Sequence, residues 1–413
     1  MALARFLQVS DLHLGRPFAW LPADRREERR RDQQRALELT VSQAIERGAH
    51  AILIPGDLFD AVQVDAGLLT FAVKAFSVNG CPPVFIAPGN HDPASDQNAA
   101  WNARLLQARG IEWPANVHVF QTPHWSSHAV PRLPGVRVWG RCFTSGVEST
   151  DRPLAAAMLG EVTATDPMGF EVAVFHGSRE GQCPPSQKMT APFSDAEVAA
   201  SPFVYHAVGH YHTLSRIEQP LTEGVKSAGA RLAYAGSAVT LDYTETGLHG
   251  AVEVRVEYGH RLPFVEVEPV ELDRRRVCAV TVDVNGAASA DQIDRRIFKA
   301  LDLAGAGELD FVGVTLHGRL GAGVRWAGPG TELKQRAFHL RWDASALRPD
   351  YDLSRYREGE PKTTEERFAR ELLAQMDAAG DPAERAEIER ALYHGLDAFK
   401  LREVSPVWEE VAG

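Results

Sequence analysis

The sequence predicts an α/β protein whose functional groups lie where buried strands end. Five short apolar runs have the length and composition of buried strands, and a block of polar side chains directly follows each one. The runs cover residues 6–9, 51–54, 84–87, 172–175 and 205–208. In an open α/β sheet, the loops at the carboxyl ends of the strands are where sites are built on a rigid scaffold. We therefore expect the five blocks to form one site.

The polar blocks supply two aspartates, an asparagine and four histidines as candidate metal ligands. They are Asp11, His13, Asp57, Asn90, His176, His210 and His212. A mixed nitrogen and oxygen set suits first-row divalent metals better than Ca or Mg alone. Two such ions usually share one carboxylate, and Asp57 is the natural bridge because Gly56 before it has no Cβ to clash in a crowded centre.

Taken singly, each block is weak evidence, since D-x-H is common and GD and GN are ordinary turn dipeptides. All five blocks in order, each at a strand end, predict a metal centre. The alternative is a decayed site that keeps the fold without the chemistry, although no ligand position is degraded.

The blocks also carry a family resemblance. Read as SDLHLG at 10–15, GDLFD at 56–60, APGNHD at 87–92, FHG at 175–177 and VGHYH at 208–212, they resemble the calcineurin-like metallophosphoesterases. The D-x-H-L-G form, and YAGS at 234–237 followed by ETGLHG at 245–250, resemble the SbcD-type DNA-repair exonucleases, including the YhaO-like group. The resemblance covers residues 1 to about 260 and implies a four-layer α/β/β/α sandwich.

The resemblance also implies roles for single residues. One metal would be held by Asp11, His13, Asp57 and His212, and the other by Asp57, Asn90, His176 and His210. His91 would act on the leaving group or the phosphate, since an imidazole can donate a proton near neutral pH. Asp92 would orient His91, with a turn-forming aspartate as the equal alternative. Two divalent ions are expected, Mn first, with Fe, Zn, Co or Ni as alternatives.

Length and composition indicate a cytoplasmic protein of two or three domains. The chain has 413 residues, 44% hydrophobic and 24% charged, which is ordinary for a soluble protein. Its four cysteines are widely spaced without a CxxC pair, which points to a reducing compartment. No signal peptide or membrane-length apolar run is evident, so no membrane association is expected.

Net charge is awkward for a nucleic-acid enzyme, because DNA binding depends on neutralising phosphates. The chain carries −11, but residues 360–413 hold 13 acidic and 7 basic side chains, so more than half of the excess lies in the tail. We therefore expect the chain alone to bind DNA weakly, and we expect a partner protein to supply most of the affinity for DNA.

Three regions are expected: a metallophosphoesterase domain at 1–270, a capping domain at 271–345 and a helical tail at 346–413. The middle region has a β-α-β pattern, with strands at 277–283 and 311–318 and a helix at 290–303, and His317 and His339 are expected to be packed side chains. In the tail, Thr364 is the predicted N-cap of the first helix. The tail helices would dock onto an SMC-like, SbcC-type ATPase, or pack on their own chain, or form a homodimer.

The one basic cluster, at residues 25–35, is expected to be the exposed start of a helix with ion pairs along its face. Arg16 and Arg25 are the exceptions that could line the substrate approach.

The expected chemistry is metal-dependent hydrolysis of a DNA phosphodiester, by the nuclease subunit of an SbcCD-like repair complex. A small-molecule phosphodiesterase or phosphomonoesterase is the first alternative, because metals recognise phosphate and not base sequence. A non-catalytic scaffold for an ATPase is the second.

Overall fold

The computed structural model describes residues 2–163, 166, 168–184, 188–219, 228–259, 262–321 and 323–402. Its strands are β1 (Ala2–Gln8), β2 (Ala51–Ile54), β3 (Val84–Ile86), β4 (Val117–Val119), β5 (Ser126–Ala129), β6 (Val136–Gly140), β7 (Phe170–His176), β8 (Tyr205–Gly209), β9 (Ser215–Gln219), β10 (Ala228–Tyr234), β11 (Gly250–Tyr258), β12 (Phe264–Glu271), β13 (Val277–Asp283), β14 (Phe311–Leu320) and β15 (His339–Pro349). Its helices are α1 (Ala23–Glu46), α2 (Ala66–Phe76), α3 (Ala103–Ala108), α4 (Pro153–Ala156), α5 (Asp195–Ala200), α6 (Ala290–Leu303), α7 (Thr331–Gln335), α8 (Thr364–Ala378) and α9 (Pro382–Leu401).

Twelve strands of the described residues form one large sheet with two halves. The order is β4-β3-β2-β1-β11-β12-β10-β8-β7-β6-β5, and β9 pairs with β10. The halves are joined where β12 and β10 pair over only two positions, Ala228 with Phe264 and Gly229 with Val265. β1, β2 and β3 are parallel in one half, and β6, β7, β8 and β10 are parallel in the other.

The two halves pack face to face and helices cover their outer faces. Along β1, Phe6 belongs to a core shared with Val172 of β7, whereas the next residue, Leu7, belongs to a second core with Leu37 of α1, as expected when successive side chains point to opposite faces. A third core packs Leu154 of α4 on the outer face of the other half. The layers are therefore α/β/β/α, which confirms the predicted sandwich.

The arginine-rich segment forms the first turns of α1, and part of its charge lies inside the protein. Arg30 pairs with Glu27 at 2.8 Å on the surface, as the sequence predicts. Arg29, in contrast, is fully buried and forms two hydrogen bonds to the carboxylate of Asp273, at 2.9 and 2.5 Å. A buried bidentate pair of this kind tolerates loss of neither partner, so Arg29 is a structural residue.

The chain divides into two compact units. The first comprises Met1–Thr281, Ile297–Thr315 and Pro329–Asp343, and the second comprises Val282–Arg296, Leu316–Gly328 and Ala344–Gly413. The division passes through each strand of a small sheet with the order β13-β14-β15. In the first unit, His339 is half-buried and packs against Tyr243 and Trp20, as predicted. His317 in the second unit is exposed, which corrects the expectation that it is packed.

In the second unit, α8 and α9 pack their apolar faces against each other. Leu373 of α8 and Leu392 of α9 share one core, and a Cβ at Gly395 would lie 2.1 Å from the ring of Phe368. The N-cap of α8 is Thr363, not Thr364, because Glu366 completes a capping box only in that register. Docking onto an ATPase stays a prediction, and residues 403–413 of the tail lie outside the described residues.

Among the helices of the described residues, none is both long enough and apolar enough to cross a membrane.

Candidate metal centre

The five polar blocks lie at one edge of the sandwich because the strands before them run in parallel. β1, β2 and β3 end at the same edge of one half, and β7 and β8 end together in the other. Just before the first block, the side-chain amide of Gln8 donates to the carbonyls of Val208 and Ala233, at 3.2 and 2.8 Å. These bonds join the two halves at the level where the ligand loops begin.

The loops that carry the ligands are hydrogen-bonded to one another beyond the strand ends. The amide of Asp11 donates to the carbonyl of Gly56 at 3.2 Å, and the amide of His13 donates to that of Asp57 at 2.9 Å. Asp11, His13 and Asp57 have φ values of 49°, 46° and 51°, and His210 has 112°. Such conformations cost on the order of 1–3 kcal/mol each and cluster at functional sites. The surrounding structure therefore holds these side chains in place against local strain.

Two glycines leave room for the ligands. Gly56 has a φ of 99°, and a Cβ there would lie 2.3 Å from Nδ1 of His176. A Cβ at Gly89 would lie 2.3 Å from Oδ1 of Asp57. The glycine expected before Asp57 is thus required for a second reason, the close approach of a histidine from the other half of the sheet.

Asp57 lies between histidines from the two halves. Its Oδ2 is 3.7 Å from Nε2 of His13 and 3.4 Å from Nε2 of His176. The same nitrogen of His176 is 3.0 Å from Oδ1 of Asn90. The other oxygen of Asp57 accepts a hydrogen bond from the amide of His91 at 2.9 Å. This is the position that a bridging carboxylate requires.

The remaining ligands lie on either side of Asp57. Nε2 of His212 is 4.0 Å from Oδ1 of Asp11, and the ring centroids of His13 and His212 are 5.2 Å apart. The ring of His210 lies 5.1 Å from that of His176, and its amide donates to both carboxylate oxygens of Asp11 at 3.2 Å. The structure therefore brings together all seven predicted ligands: Asp11, His13, Asp57, Asn90, His176, His210 and His212.

Each of the four histidines has one ring nitrogen engaged by an oxygen acceptor. The pairs are His13 Nδ1 with Asp60 at 3.0 Å, His176 Nδ1 with the carbonyl of Pro55 at 3.0 Å, His210 Nε2 with the carbonyl of Lys188 at 2.8 Å, and His212 Nδ1 with Glu245 at 2.6 Å. An acceptor of this kind fixes the tautomer and orients the ring, and it leaves the opposite nitrogen as a lone-pair donor. The four rings are thus prepared to bind metal.

Burial sets the protonation of these rings. It lowers the pKa of His13 well below the ordinary value, and His212 and His91 nearby lower it further. Burial also lowers the pKa of His210 to about 4. For His212 burial acts in the same direction, but the hydrogen bond and charge of Glu245 outweigh it and raise the pKa. His13 and His210 are therefore neutral at physiological pH, which is the form that binds metal.

The donors fit divalent cations. Nε2 of His13 is buried without a hydrogen-bond partner among the described residues, which is costly for a polar atom unless a ligand engages it. Burial raises the pKa of Asp11, and a nearby cation would reverse that effect. Donor atoms of Asp11, His13 and His212 lie within 4.8 Å of one another, as do those of Asp11, Asp57 and His176. The nitrogen and oxygen set suits first-row metals.

The two predicted catalytic residues are placed differently. The side chain of His91 is exposed at the edge of the centre, and its Nδ1 lies 3.4 Å from the carbonyl of Asp60. Asp92 is fully buried, and its carboxylate accepts from the amides of Gly89 at 2.8 Å and Phe59 at 3.1 Å. Both residues are described, and the carboxylate of Asp92 does not form the expected contact with the ring of His91. The partners of Asp92 indicate that it fixes the loop that presents Asn90.

Two residues near the ligands have roles that the sequence analysis does not assign. Asp60 contacts His13 and also accepts from Arg16 at 3.2 Å, and Glu245 contacts His212. Both lie in the motifs that carry the resemblance, Asp60 as the last residue of GDLFD and Glu245 as the first of ETGLHG. The sequence does not show that these two acids pair with His13 and His212, because the partners are 47 and 33 residues apart.

Known proteins resemble this chain in sequence. A family profile described as Calcineurin-like phosphoesterase matches residues 4–212. The uncharacterised metallophosphoesterase YhaO of Bacillus subtilis (strain 168) is 25% identical over 261 residues, which are 62% of this chain and 58% of YhaO. The chain thus spans less than two thirds of that relative.

Among solved structures, purple acid phosphatase PPD1 from yellow lupin is 13% identical, covering 65% of this chain and 52% of its own, with a TM-score of 0.38. A dimetal phosphatase from Danio rerio is 12% identical, covering 63% and 98%, with a TM-score of 0.35. The superfamily expected from the five blocks is confirmed, and the SbcD-type branch stays a prediction. Because the family profile covers more than half of its residues, this chain belongs to the calcineurin-like phosphoesterase family.

Proposed function

We propose that this protein is a metal-dependent phosphodiesterase that cleaves DNA. The observation that carries the proposal is Asp57, which lies between histidines from two facing halves of the sheet, each already oriented by an outer oxygen. One ion would be held by Asp11, His13, Asp57 and His212, and a second by Asp57, Asn90, His176 and His210. When bound, such ions polarise phosphoryl oxygens and make water a competent nucleophile near neutral pH.

The chain itself supplies a proton donor beside the centre. The amide of His91 is tied to Asp57, so the backbone of His91 has a fixed position relative to the ligands. Its Nδ1 lies near the carbonyl of Asp60, which leaves Nε2 exposed toward the substrate side. An imidazole in this position can give a proton to the leaving oxygen of a phosphodiester.

Arg16 supplies positive charge on the same side. Its guanidinium donates to Asp60 at 3.2 Å and its side chain remains 29% exposed. Asp60 thus connects Arg16 with His13, and burial raises the pKa of its carboxyl group while Arg16 lowers it. The hydrogen bond to Asp60 orients the guanidinium of Arg16 before a phosphate binds at the centre. This supports the sequence-based exception made for Arg16.

Activity against DNA is the test. Purified protein with Mn²⁺ is assayed on single-stranded DNA, duplex DNA, bis-p-nitrophenyl phosphate and p-nitrophenyl phosphate, with Asp57→Asn as the inactive control. We expect the catalytic efficiency on DNA to exceed that on both small esters and to fall steeply with salt. Higher efficiency on a small ester, without salt dependence, would refute the assignment to DNA.

The second candidate function is hydrolysis of a small phosphate ester. Its support is the net charge of −11, which opposes binding of a polyanion by the chain alone. The same assay decides between the two. A partner ATPase is a separate proposal, tested by adding a candidate SMC-like subunit and measuring DNA affinity.

A further inference from the structure

A polar cavity of about 300 Å³ opens beside the metal centre, with His176 in its wall. Its other walls come mainly from residues 141–151, which follow β6. Because β6 is parallel to β7, its carboxyl end lies at the same edge of the sheet as the ligand His176. The fold therefore places the cavity next to the candidate metal centre.

The cavity walls are tied to the loops that carry metal ligands. The amide of Phe143 donates to the carbonyl of Pro88 at 3.0 Å, and the carbonyl of Phe143 accepts from the amide of Ala94 at 2.7 Å. These two bonds bracket the loop that presents Asn90. On the other side, the amide of Ala191 donates to the carbonyl of Ser149 at 2.7 Å. The cavity thus has a fixed position relative to the centre.

Arg141 is a mostly buried cation in this cavity, and its one carboxylate neighbour within 4.0 Å among the described residues is distant and exposed. Its side chain is 12% exposed, and its guanidinium donates no hydrogen bond to any described residue. The closest carboxylate, that of Asp151, is 3.9 Å away and 71% exposed. The carboxylate of Glu148 on the rim is already paired with Lys188 at 2.8 Å. Burial lowers the pKa of Arg141 even though the carboxylates of Asp151 and Glu161 raise it.

A guanidinium that is only 12% exposed has lost much of its hydration, so an anion that contacts it is favoured, and its planar fork matches a phosphate group. The volume is at the low end of the range for small-molecule sites, which suits one nucleotide unit and excludes a duplex. We propose that this cavity binds the nucleotide next to the scissile phosphodiester, and that Arg141 pairs with the phosphate of that nucleotide. Arg141 is then a specificity-determining residue. The proposal rests on the proposed function and names the substrate group that it recognises.

Two pairs of chromogenic esters test the proposal. One pair is thymidine 5′-(p-nitrophenyl phosphate) with and without a 3′-phosphate, and the other is thymidine 3′-(p-nitrophenyl phosphate) with and without a 5′-phosphate. In one of the two pairs, the wild-type protein should prefer the ester with the second phosphate by roughly 10- to 100-fold in kcat/KM, which is the scale of a hydrogen bond to a charged group. The preference should arise from a lower KM. Arg141→Gln should bring that ratio close to one, and Arg141→Lys should restore part of it.

The matched control is Arg35→Gln, which removes an exposed arginine of α1 and should keep the wild-type ratio. Arg141→Gln should unfold at a temperature no lower than the wild type, because it removes a mostly buried charge whose nearest carboxylate is 3.9 Å away and exposed. If Arg141→Gln lowers kcat/KM equally for both esters of a pair, so that the ratio stays at the wild-type value, the proposal is overturned. The absence of any preference for a second phosphate in the wild type would also overturn it.

A binding measurement separates this proposal from the proposed function. Calorimetry with Mn²⁺ compares thymidine 3′,5′-bisphosphate with thymidine 5′-monophosphate, and turnover is not needed. If the protein hydrolyses no diester, yet prefers the bisphosphate only when Arg141 is present, the proposed function fails and the cavity assignment stands. Equal affinity of the wild type and Arg141→Gln for the bisphosphate would refute the cavity assignment.

Discussion

Glu245→Gln is expected to weaken metal binding, although Glu245 is not itself one of the ligands. One carboxylate oxygen accepts from Nδ1 of His212 at 2.6 Å. The other accepts from the amide of Leu241 at 2.7 Å and from the hydroxyl of Ser237 at 3.3 Å. Glutamine has only one acceptor oxygen, so its NH₂ group must face either His212 or Leu241, both of which are donors.

The magnitude follows from these contacts. An unsatisfied donor in a buried site costs about 1–3 kcal/mol, and loss of an outer partner of a histidine ligand lowers metal affinity by about 10- to 100-fold. The two ranges agree, because a tenfold change in metal affinity corresponds to about 1.4 kcal/mol of binding free energy. The pKa of His212 should also fall, since burial lowers it and only Glu245 and nearby carboxylates raise it.

The assay is a titration of Mn²⁺ or Zn²⁺ against a chromophoric chelator, with His212 followed by NMR in metal-free protein. The control is Glu257→Gln, which makes the same charge change at an exposed position of β11. The reasoning is refuted if Glu245→Gln binds metal within twofold of the wild type and leaves the titration of His212 unchanged.

Three further predictions concern the centre and its support. His91→Asn should keep both ions by elemental analysis while kcat falls by about 10² to 10⁴; loss of metal would refute its separation from the ligands. Asp57→Ala should lose both ions, and full retention would exclude it as the bridge. His206 is buried, which lowers its pKa to about 3, so the unfolded state takes up the proton first. The free energy of unfolding should therefore fall as the pH drops below about 6.5, by up to about 1.4 kcal/mol per pH unit. In His206→Asn this slope should be smaller in metal-free urea titrations.

The elements that the sequence places well are those with a strong local pattern. The predicted bounds of β2, β13 and α6 agree with the structure, because an apolar run flanked by polar residues defines a strand, and helical periodicity defines a helix. The N-cap of α8 was misplaced by one residue. Thr363 and Thr364 are both acceptable caps, and only the reach of Glu366 back to the Thr363 amide distinguishes them.

Side chains whose partners are far away in sequence could not be placed in the same way. The arginines of α1 look alike in the sequence, yet Arg29 is buried on Asp273, which lies 244 residues away, whereas Arg30 pairs on the surface. Asp92 follows His91 directly, but the turn directs its carboxylate to the amides of Gly89 and Phe59. Neighbours along the chain are not neighbours in space at a tight turn.

By itself the sequence identified the seven candidate metal ligands and predicted that they would meet at one edge of a sheet. Strand direction suffices for that, because parallel strands end together. Only the tertiary structure decided how the donors are held. The acceptors for His176 and His210 are the backbone carbonyls of Pro55 and Lys188, and every residue has a carbonyl, so no sequence pattern marks them. The same holds for the cavity at Arg141, whose position depends on backbone hydrogen bonds between the loop after β6 and the loop that presents Asn90.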